Sequence, residues 1–295
     1  MGTLTILKII AVSQAFRLVD FTYVVNDIFF YLLLGLIQGT VEWLPISSEG
    51  MLTLVQTSSG INYNTAIAIA LWIHLGTLAA VLFVFKEEWK RFFLSWGEPV
   101  PERKFIIITT IGTGLLGIPV KLFIVDLIGN TNLFVGWVYL QIGLALIITG
   151  ILLKMGQLQT GVEKTIENLS WKQQLIAGLA QGFTIIPGIS RSGTTVSALL
   201  FMRVEGEESF RASFLMSVPA VLGATILEVL DVILGGGSLT SEVNFGLLAL
   251  AIITAFITGL LTIRILLRIA KDLNFALIAL FFGLLLLILG LIQLL

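Results

Sequence analysis

One amide, two carboxylates and two serine hydroxyls occur within one short stretch, GLIQGTVEWLPISSEG, although long apolar runs lie on both sides of it. Glu42 and Glu49 are carboxylates that could hold a divalent cation through oxygen ligands, or act as acid and base. Gln38 precedes Glu42 by four residues, so a helix would present both on one face. The hydroxyls of Ser47 and Ser48 could bind phosphate or supply a nucleophile. The stretch therefore offers groups for cation binding and for nucleophilic chemistry.

Each of these residues also has a purely structural interpretation. An amide such as that of Gln38 can form a hydrogen bond between two membrane helices. A serine that follows Pro45 can cap the N-terminus of a helix. Such roles explain each residue by itself, but they do not explain why all five stand together.

A second stretch, GLAQGFTIIPGISRSG, contains one cation, Arg191, beside several hydrogen-bond donors. A charge inside the membrane is costly, so Arg191 should face a partner or a cavity. A guanidinium and the backbone amides of a helix N-terminus suit a tetrahedral anion. The stretch therefore predicts a phosphate site, the alternative being that Arg191 is a structural partner of Glu42. The other predicted phosphate-binding residues are Ser47, Ser190, Ser192, Gly193 and Thr195.

The two stretches are related to each other by a shift of 143 residues. Seven of sixteen positions are identical without a gap, which is more than biased composition explains. The shift is close to half the chain, so we predict pseudo-repeat halves, roughly residues 27–153 and 172–295, in a single membrane domain, 1–295. The identical pairs are Gly35 and Gly178, Leu36 and Leu179, Gln38 and Gln181, Gly39 and Gly182, Ile46 and Ile189, Ser47 and Ser190, and Gly50 and Gly193.

The composition places these motifs in an integral membrane protein. Of the 295 residues, 57% are hydrophobic and 12% are charged, and mean hydropathy is +1.03. A soluble domain carries about a quarter charged residues. A net charge of −1 gives no clustered basic face for nucleic acid. The absence of cysteine excludes disulfides, and the single histidine, His74, excludes a multi-histidine metal centre.

Apolar stretches near the length needed to cross the bilayer, about 20 residues, occur six times. They predict an all-α polytopic membrane protein with about six transmembrane helices. The N-terminal residues MGTLTILKIIAVSQAF lack the features of a cleavable signal, so we interpret them as a surface-lying or short membrane helix. The six predicted spans are 65–85, 105–125, 133–153, 212–233, 245–267 and 274–295.

Two further apolar segments, 27–44 and 173–186, end in a proline and a polar turn. Each continues into a shorter apolar piece, 51–57 or 194–202. Irregular backbone at membrane depth is tolerated where it is buried in protein or lines a wet cavity. We therefore predict two re-entrant helical hairpins, the alternative being two ordinary kinked spans.

Lysine and arginine predict the orientation of the chain, because basic loops remain in the cytoplasm. Basic residues concentrate in loops 86–104 and 154–172, whereas 126–132 and 234–244 contain none. The first hairpin should then enter from the external side and the second from the cytoplasmic side, as in an inverted-topology repeat. Lys121 is the exception, and it could extend outward along its aliphatic stem.

At these residues the chain resembles the undecaprenyl-diphosphate phosphatase family, also called the bacitracin-resistance family. The motifs QGTVEWLPISSEGM and PGISRSGTT carry the resemblance, which covers most of the chain. It implies removal of the terminal phosphate of a polyprenyl diphosphate, which leaves the monophosphate lipid carrier and inorganic phosphate. It also implies an inverted repeat with two re-entrant hairpins, a site that opens outward, and a divalent cation, Mg²⁺ or Ca²⁺.

Carried over by position, Gln38 and Glu42 match the acidic pair of the family. In the same way, the serine pair is Ser47 and Ser48, and Arg191 matches the phosphate-binding arginine, beside Ser190, Ser192 and Thr195.

One position departs from the family motif. The histidine of that motif, a nucleophile or acid–base group, is Met51 here. Glu49 could take over the proton transfer, or Glu42 could activate water or Ser48. His74 we interpret as a hydrogen-bonded packing group.

The residues thus predict a membrane phosphatase acting on isoprenoid-lipid diphosphate, with Glu42, Ser48, Glu49 and Arg191 in catalysis and Gln38 and Glu42 at the cation. The alternative is a transporter, flippase or non-catalytic binder of polyprenyl phosphate, because inverted repeats also suit that class. Glu228 and Asp231, near an external helix end, should be solvated. The tail length of the lipid and the oligomeric state, with a homodimer as one option, stay open.

Overall fold

A computed structural model shows a chain built from helices. In the residues that it describes, extended pairing is limited to one isolated bridge between Lys164 and Val204. The first 25 residues and the predicted loop 126–132 lie outside the described residues, as does most of 234–244. The described residues are 26–95, 97–125, 135–159, 164–234, 243–269 and 274–295.

Six of the described helices are long and apolar enough to cross a bilayer, which needs about 20 residues. They are α3 Tyr63–Val84, α5 Pro101–Val120, α6 Val135–Gln157, α9 Gly206–Ile233, α10 Phe245–Ile269 and α11 Phe275–Leu294. A π-helical turn, Lys121–Val125, extends α5. The shorter helices are α1 Asn26–Val41, α2 Ser48–Ser58, α4 Lys86–Leu94, α7 Trp171–Gly182 and α8 Arg191–Phe201, with 3-10 turns at Ile166–Asn168 and Phe183–Ile185.

The six long helices confirm the predicted spans, and the chain is an all-α, multi-pass membrane protein. Their outward faces carry large apolar side chains, such as Leu261, which is 65% exposed, and Phe281, which is 62% exposed. Lipid tails are as apolar as leucine, so these side chains lose nothing by facing the bilayer. The span predicted at 212–233 begins earlier, at Gly206, because acidic Glu207 and Glu208 suit the first turn of a helix.

The first helix break contains Pro45, which has no backbone N–H to continue a helix. Ser47 there adopts a left-handed φ of 58°, and its hydroxyl accepts a hydrogen bond from the Gly50 N–H. This cap starts α2 at Ser48 instead of Met51. With 11 residues, α2 is half-length, because at about 1.5 Å per residue it spans about half of the hydrocarbon core.

The second break repeats this design. Pro187 ends the 3-10 turn that follows α7, and Gly188 takes a left-handed φ of 96°. Ser190 accepts a hydrogen bond from the Gly193 N–H and caps α8, another 11-residue helix. Both predicted breaks are therefore confirmed as helix–turn–helix units, while their entry into the membrane from opposite sides stays a prediction.

Glycines pack corresponding helices together in the two halves of the chain. Gly35 of α1 lies against the carbonyl of Ala251 in α10, and Gly178 of α7 lies against the carbonyl of Thr109 in α5. A Cβ at either glycine would collide with backbone of the facing helix. Small residues allow such close approach of membrane helices. The contact is similar in both places, since Gly35 and Gly178 correspond by the shift of 143 residues and Thr109 stands one residue after the position that corresponds to Ala251.

The packing also reveals helix directions. α6 and α11 run antiparallel, because Gly136 lies at Leu294 and Gly150 lies at Leu280. α3 and α10 run parallel, because Gly76 contacts Ile252 and Ala80 contacts Gly259. An inverted-topology repeat requires these directions when successive spans alternate. The repeat itself stays a prediction.

Candidate active site

A cavity of about 460 Å³ lies where the two broken helices meet. Residues of both turns line it together with residues of α3, α5 and α9, so neither half of the chain forms it alone. Apolar side chains make up much of its wall. The polar groups in its wall include Glu42, Ser47, Ser48, Glu49, His74, Ser190, Arg191 and Ser192.

Glu42 is the centre of the hydrogen bonding in this cavity. One carboxylate oxygen, Oε2, accepts hydrogen bonds from Gln38 Nε2 at 2.8 Å and from Ser48 Oγ at 2.5 Å. The other, Oε1, forms an ion pair with Arg191 Nη2. The Glu42 side chain is only 5% exposed, and a buried charge is tolerated when it is paired and hydrogen-bonded. The prediction that Gln38 and Glu42 share one helix face agrees with this contact.

Arg191 is the first residue of α8, and its guanidinium lines the cavity. Its ion pair with Glu42 is the contact that the structural interpretation anticipated. That contact uses one nitrogen, however, and a guanidinium has five N–H donors. The other donors make no hydrogen bond to a described residue. Arg191 can therefore hold Glu42 and an anion together.

The predicted serines serve both helix capping and the cavity wall. Ser47 and Ser190 are the caps of α2 and α8, so the capping interpretation of Ser47 is correct, and both also line the cavity. Ser192 Oγ donates to the carbonyl of Leu44 at 3.1 Å and so joins the two breaks. Ser48 has its hydroxyl on Glu42, inside the cavity.

Two residues predicted to bind phosphate do not lie on the described cavity wall. Gly193 faces Thr149 and Pro45, and its N–H is taken by Ser190. Thr195 is fully buried, and its hydroxyl contacts Ser213 Oγ at 2.5 Å. Both turn away because the helical rotation of α8 points these positions at α6, the first break and α9. Phosphate binding by these two residues stays a prediction.

His74 belongs to the site, which the packing interpretation underestimated. Its Nε2 lies 3.2 Å from Glu42 Oε2 and 3.5 Å from Ser48 Oγ. Its Nδ1 lies 2.7 Å from the carbonyl oxygen of Ala70, one turn earlier in α3. The sequence signal was available, since an ionisable residue within a membrane span marks a functional site by default.

Glu49 and Met51 lie on different sides of α2. Glu49 lines the cavity, and its carboxylate makes no hydrogen bond or ion pair to a described residue. Met51 instead packs against the apolar cluster that contains Ile46 and Leu54. The position that holds a histidine in the family motif is therefore part of the apolar packing here.

A second charged group occupies another part of the cavity wall. Lys121 forms an ion pair with Asp231, and Glu228 lines the cavity beside them. The side chain of Lys121, which could extend outward along its aliphatic stem, is 15% exposed and ends at Asp231. Asp231, expected to be solvated, keeps 41% exposure but is paired with Lys121.

The oxygen ligands of the cavity are compatible with a small divalent cation. The described residues contain no cluster of three or more His, Cys, Asp and Glu side chains that would cage a metal. Mg²⁺ commonly binds one or two carboxylates and completes its shell with water and substrate phosphate. Glu42 and Glu49, which line one cavity, suit that arrangement. Gln38 is fully buried behind Glu42 and points its amide nitrogen at it, so in this orientation Gln38 supports a ligand instead of being one.

Fold and site together define a multi-pass helical membrane protein with a charged cavity between two broken helices. Residues 31–292 match the family model described as "Bacitracin resistance protein BacA". The chain belongs to this family, as its motifs indicated.

Curated relatives cover most of the chain. A protein of Methanococcoides burtonii named "Undecaprenyl-diphosphatase" is 39% identical over 259 residues, which are 83% of this chain and 91% of the relative. A protein of the same name from Methanopyrus kandleri is 38% identical, over 85% of this chain and 91% of its own. One from Saccharolobus solfataricus is 32% identical, over 91% and 97%.

Proposed function

We propose that this chain hydrolyses a polyprenyl diphosphate, of the undecaprenyl or dolichyl type, to the monophosphate lipid and inorganic phosphate. The reaction would recycle the lipid carrier for cell-envelope or glycan synthesis. Relatives named undecaprenyl-diphosphatase support a hydrolase acting on a diphosphate. The observation that carries the proposal is that the Ser48 hydroxyl and the Arg191 guanidinium both bind one carboxylate, Glu42, in one cavity.

Different residues would bind the phosphate and attack it. Arg191 binds the terminal phosphate with the donors that Glu42 leaves free, and Ser190 and Ser192 contribute hydroxyls on the same wall. Ser48 provides the attacking oxygen, held in place by Glu42. A Mg²⁺ or Ca²⁺ ion on Glu42 and Glu49 would supply positive charge to the leaving group.

The shape of the cavity suits a lipid with a charged head. Apolar side chains also line the cavity, among them Ile67, Leu71, Ile185 and Val221. The diphosphate would bind at Arg191, and the isoprenoid chain would lie along apolar side chains and leave into the bilayer.

The site would open toward the external side of the plasma membrane. The distribution of lysine and arginine supports this orientation, since it places the first hairpin on that side. One copy of the chain contains all the residues named here, so the proposal does not depend on a homodimer.

A phosphate-release assay tests the proposal. Purified full-length protein in detergent should release inorganic phosphate from farnesyl diphosphate, a short polyprenyl diphosphate, and a chelator should stop the release. Arg191→Ala should abolish turnover, because an uncompensated phosphate charge would remain in the cavity. Arg91→Ala, which removes an arginine from a pair on the exposed side of α4, is the control and should be active.

The same assay examines the transporter or binder alternative, which the similarities to diphosphatases do not favour. Binding of farnesyl diphosphate by the wild type without any phosphate release, with or without Mg²⁺, would contradict the proposed hydrolysis.

A further inference from the structure

We infer that Lys121 binds the phosphate that stays on the lipid, while Arg191 binds the terminal phosphate. The inference rests on the proposed function and adds a second phosphate contact to it. Lys121 stands at the end of α5, outside both motif stretches, and it lines the same cavity as Arg191. Among the described residues of the cavity wall, these two are the only lysine and arginine. A diphosphate presents two anionic groups, and the cavity thus offers one cation for each.

The placement of Lys121 is unusual for a lysine in a membrane span. A charge at membrane depth is costly, and lysines near a helix end usually extend to the interface. The side chain of Lys121 is instead 15% exposed and lines the cavity. An ionisable residue placed in this way marks a functional site by default. Lys121 belongs to neither motif, so phosphate binding at the two breaks does not account for it.

The packing of α5 on α7 shows at which depth Lys121 lies. Thr113 Oγ1 of α5 donates to the carbonyl of Gly178 in α7 at 3.2 Å. One turn later in both helices, Gly117 lies against Gly182. The two helices therefore run parallel and stay level with each other from one turn to the next.

One more turn of α5 leads to Lys121, and the matching level after α7 is Ile186, directly before Pro187. Lys121 thus lies at the depth where the second break begins. Arg191 follows where the same break ends, as the first residue of α8. Two cations at the two ends of one turn can bind neighbouring phosphates of one molecule.

Phosphate can replace the present partner of Lys121 at little cost. Lys121 Nζ forms an ion pair with the carboxylate of Asp231, which is 41% exposed. A pair with such an exposed partner contributes little, because water solvates the carboxylate well. A phosphate group has more charge and three acceptor oxygens, and an ammonium has three donors. The substrate can therefore take over the ammonium or share it with Asp231.

The carboxylates of α9 make this cation necessary. Glu228 and Asp231 are three residues apart, so they lie on one helix face, and both line the cavity. Their negative charge would repel an incoming diphosphate, and the ammonium of Lys121 offsets that repulsion. The two members of the ion pair thus have opposite effects on the substrate, because Lys121 attracts it and Asp231 repels it.

The assignment also gives Lys121 a role when the bond breaks. The bridging P–O bond breaks with its electron pair on the lipid phosphate, which gains negative charge. An ammonium beside that phosphate stabilises the developing charge and keeps its own proton. Loss of Lys121 should therefore lower the rate as well as the affinity, so kcat/KM is the quantity to measure.

The test compares Lys121→Met and Asp231→Asn with wild type in phosphate release from farnesyl diphosphate. We expect kcat/KM of Lys121→Met to fall about 10- to 100-fold, the effect of losing a hydrogen bond to a charged group. Lys121→Arg keeps the positive charge and should keep most of the activity. Asp231→Asn should raise kcat/KM, by up to about fivefold, because the phosphate no longer competes with a carboxylate for the ammonium.

The opposite signs separate phosphate binding from a structural role. Both variants break the same ion pair, so a role in packing alone would impair both of them. Inorganic phosphate should inhibit by binding at Arg191, so it identifies the subsite. Its inhibition constant should be the same for Lys121→Met and wild type. A rise as large as the fall in kcat/KM would place Lys121 at the terminal phosphate and overturn the assignment.

The outcomes distinguish this assignment from the proposed function. If wild type hydrolyses the diphosphate and Lys121→Met matches its kcat/KM, Lys121 is not a phosphate contact, and the proposed function stands. Loss of activity in both Lys121→Met and Asp231→Asn would reduce the pair to a structural contact. If wild type releases no phosphate, the proposed function fails. Calorimetric binding of farnesyl diphosphate with a chelator then decides on Lys121, and equal affinity of wild type and Lys121→Met would overturn its assignment.

Discussion

Removing either partner of the Glu42–Arg191 pair should destabilise the protein, and removing both should cost less than the two effects combined. Glu42→Gln keeps the shape of the side chain and hydrogen-bonding capacity toward Ser48. It leaves Arg191, whose side chain is 19% exposed, without an ionic partner among the described residues. Breaking a buried pair costs about 3–5 kcal/mol. Because Arg191 reaches a cavity that admits water, we expect the lower end of that range, about 3 kcal/mol.

Arg191→Gln should cost a similar amount, since it leaves the Glu42 carboxylate, 5% exposed, without its cation. In the double variant two amides face each other, and neither of the two positions carries a charge. Neighbouring residues of one network show coupling energies of about 0.5–3 kcal/mol. We expect about 2 kcal/mol of coupling here, because both partners are mostly buried. All three variants should be inactive, so stability would return in the double variant without phosphate release.

Unfolding by SDS in mixed micelles, followed by circular dichroism, measures these free energies. The matched control is Glu102→Gln, which breaks a pair with Arg91, a side chain that is 56% exposed. Such exposed pairs contribute about 0–1 kcal/mol. If the Glu42→Gln and Arg191→Gln effects simply add in the double variant, the two side chains are not coupled, and the central role of this ion pair is refuted.

Three other outcomes follow from the geometry. Gly178→Leu should destabilise the fold by about 1–3 kcal/mol or more, because the new side chain would meet the backbone of α5. Gly223→Ala is the control and should not destabilise the fold, because Gly223 has open space around it, and SDS unfolding measures both variants. Glu49→Gln should raise the Mg²⁺ concentration for half-maximal phosphate release by about 10- to 100-fold, and an unchanged requirement would remove Glu49 from the cation site. Lys121→Met should change the unfolding free energy by no more than about 1 kcal/mol, because Asp231, its partner, is 41% exposed; a larger loss would mean that this pair is buried more effectively than its exposure indicates.

The sequence pointed to most of the site because its motifs are local. Gln38, Glu42 and the two serines stand within a single turn and the helix before it, so their proximity follows from helical spacing and one proline. The helix breaks were predictable for the same reason. The sequence distance of Thr195 from Arg191 does not reveal the contacts of its side chain, and only the packing of α8 places its hydroxyl against Ser213.

The contacts of His74 could not be predicted from its neighbours in sequence. Its position in a span identifies it as an unusual residue, but its partners, Glu42 and Ser48, are 32 and 26 residues away in sequence. The distance of Arg191 from Glu42, 149 residues, is larger still. The repeat suggested that the two motifs meet, yet it did not determine which atoms touch.

The sequence by itself determined that the chain lies in a membrane and that its secondary structure is helical. The apolar runs are long enough to cross a membrane, where the backbone must satisfy its own hydrogen bonds, so they form helices. Two of the helical segments are interrupted by a proline and restart at a serine cap. Tertiary structure alone decided that Met51 packs among apolar side chains while His74 faces Ser48. The physical reason is that side-chain direction depends on how each helix is rotated in its packing. That rotation depends on close contacts such as Gly35 on Ala251 and Gly178 on Thr109, which join residues far apart in the chain.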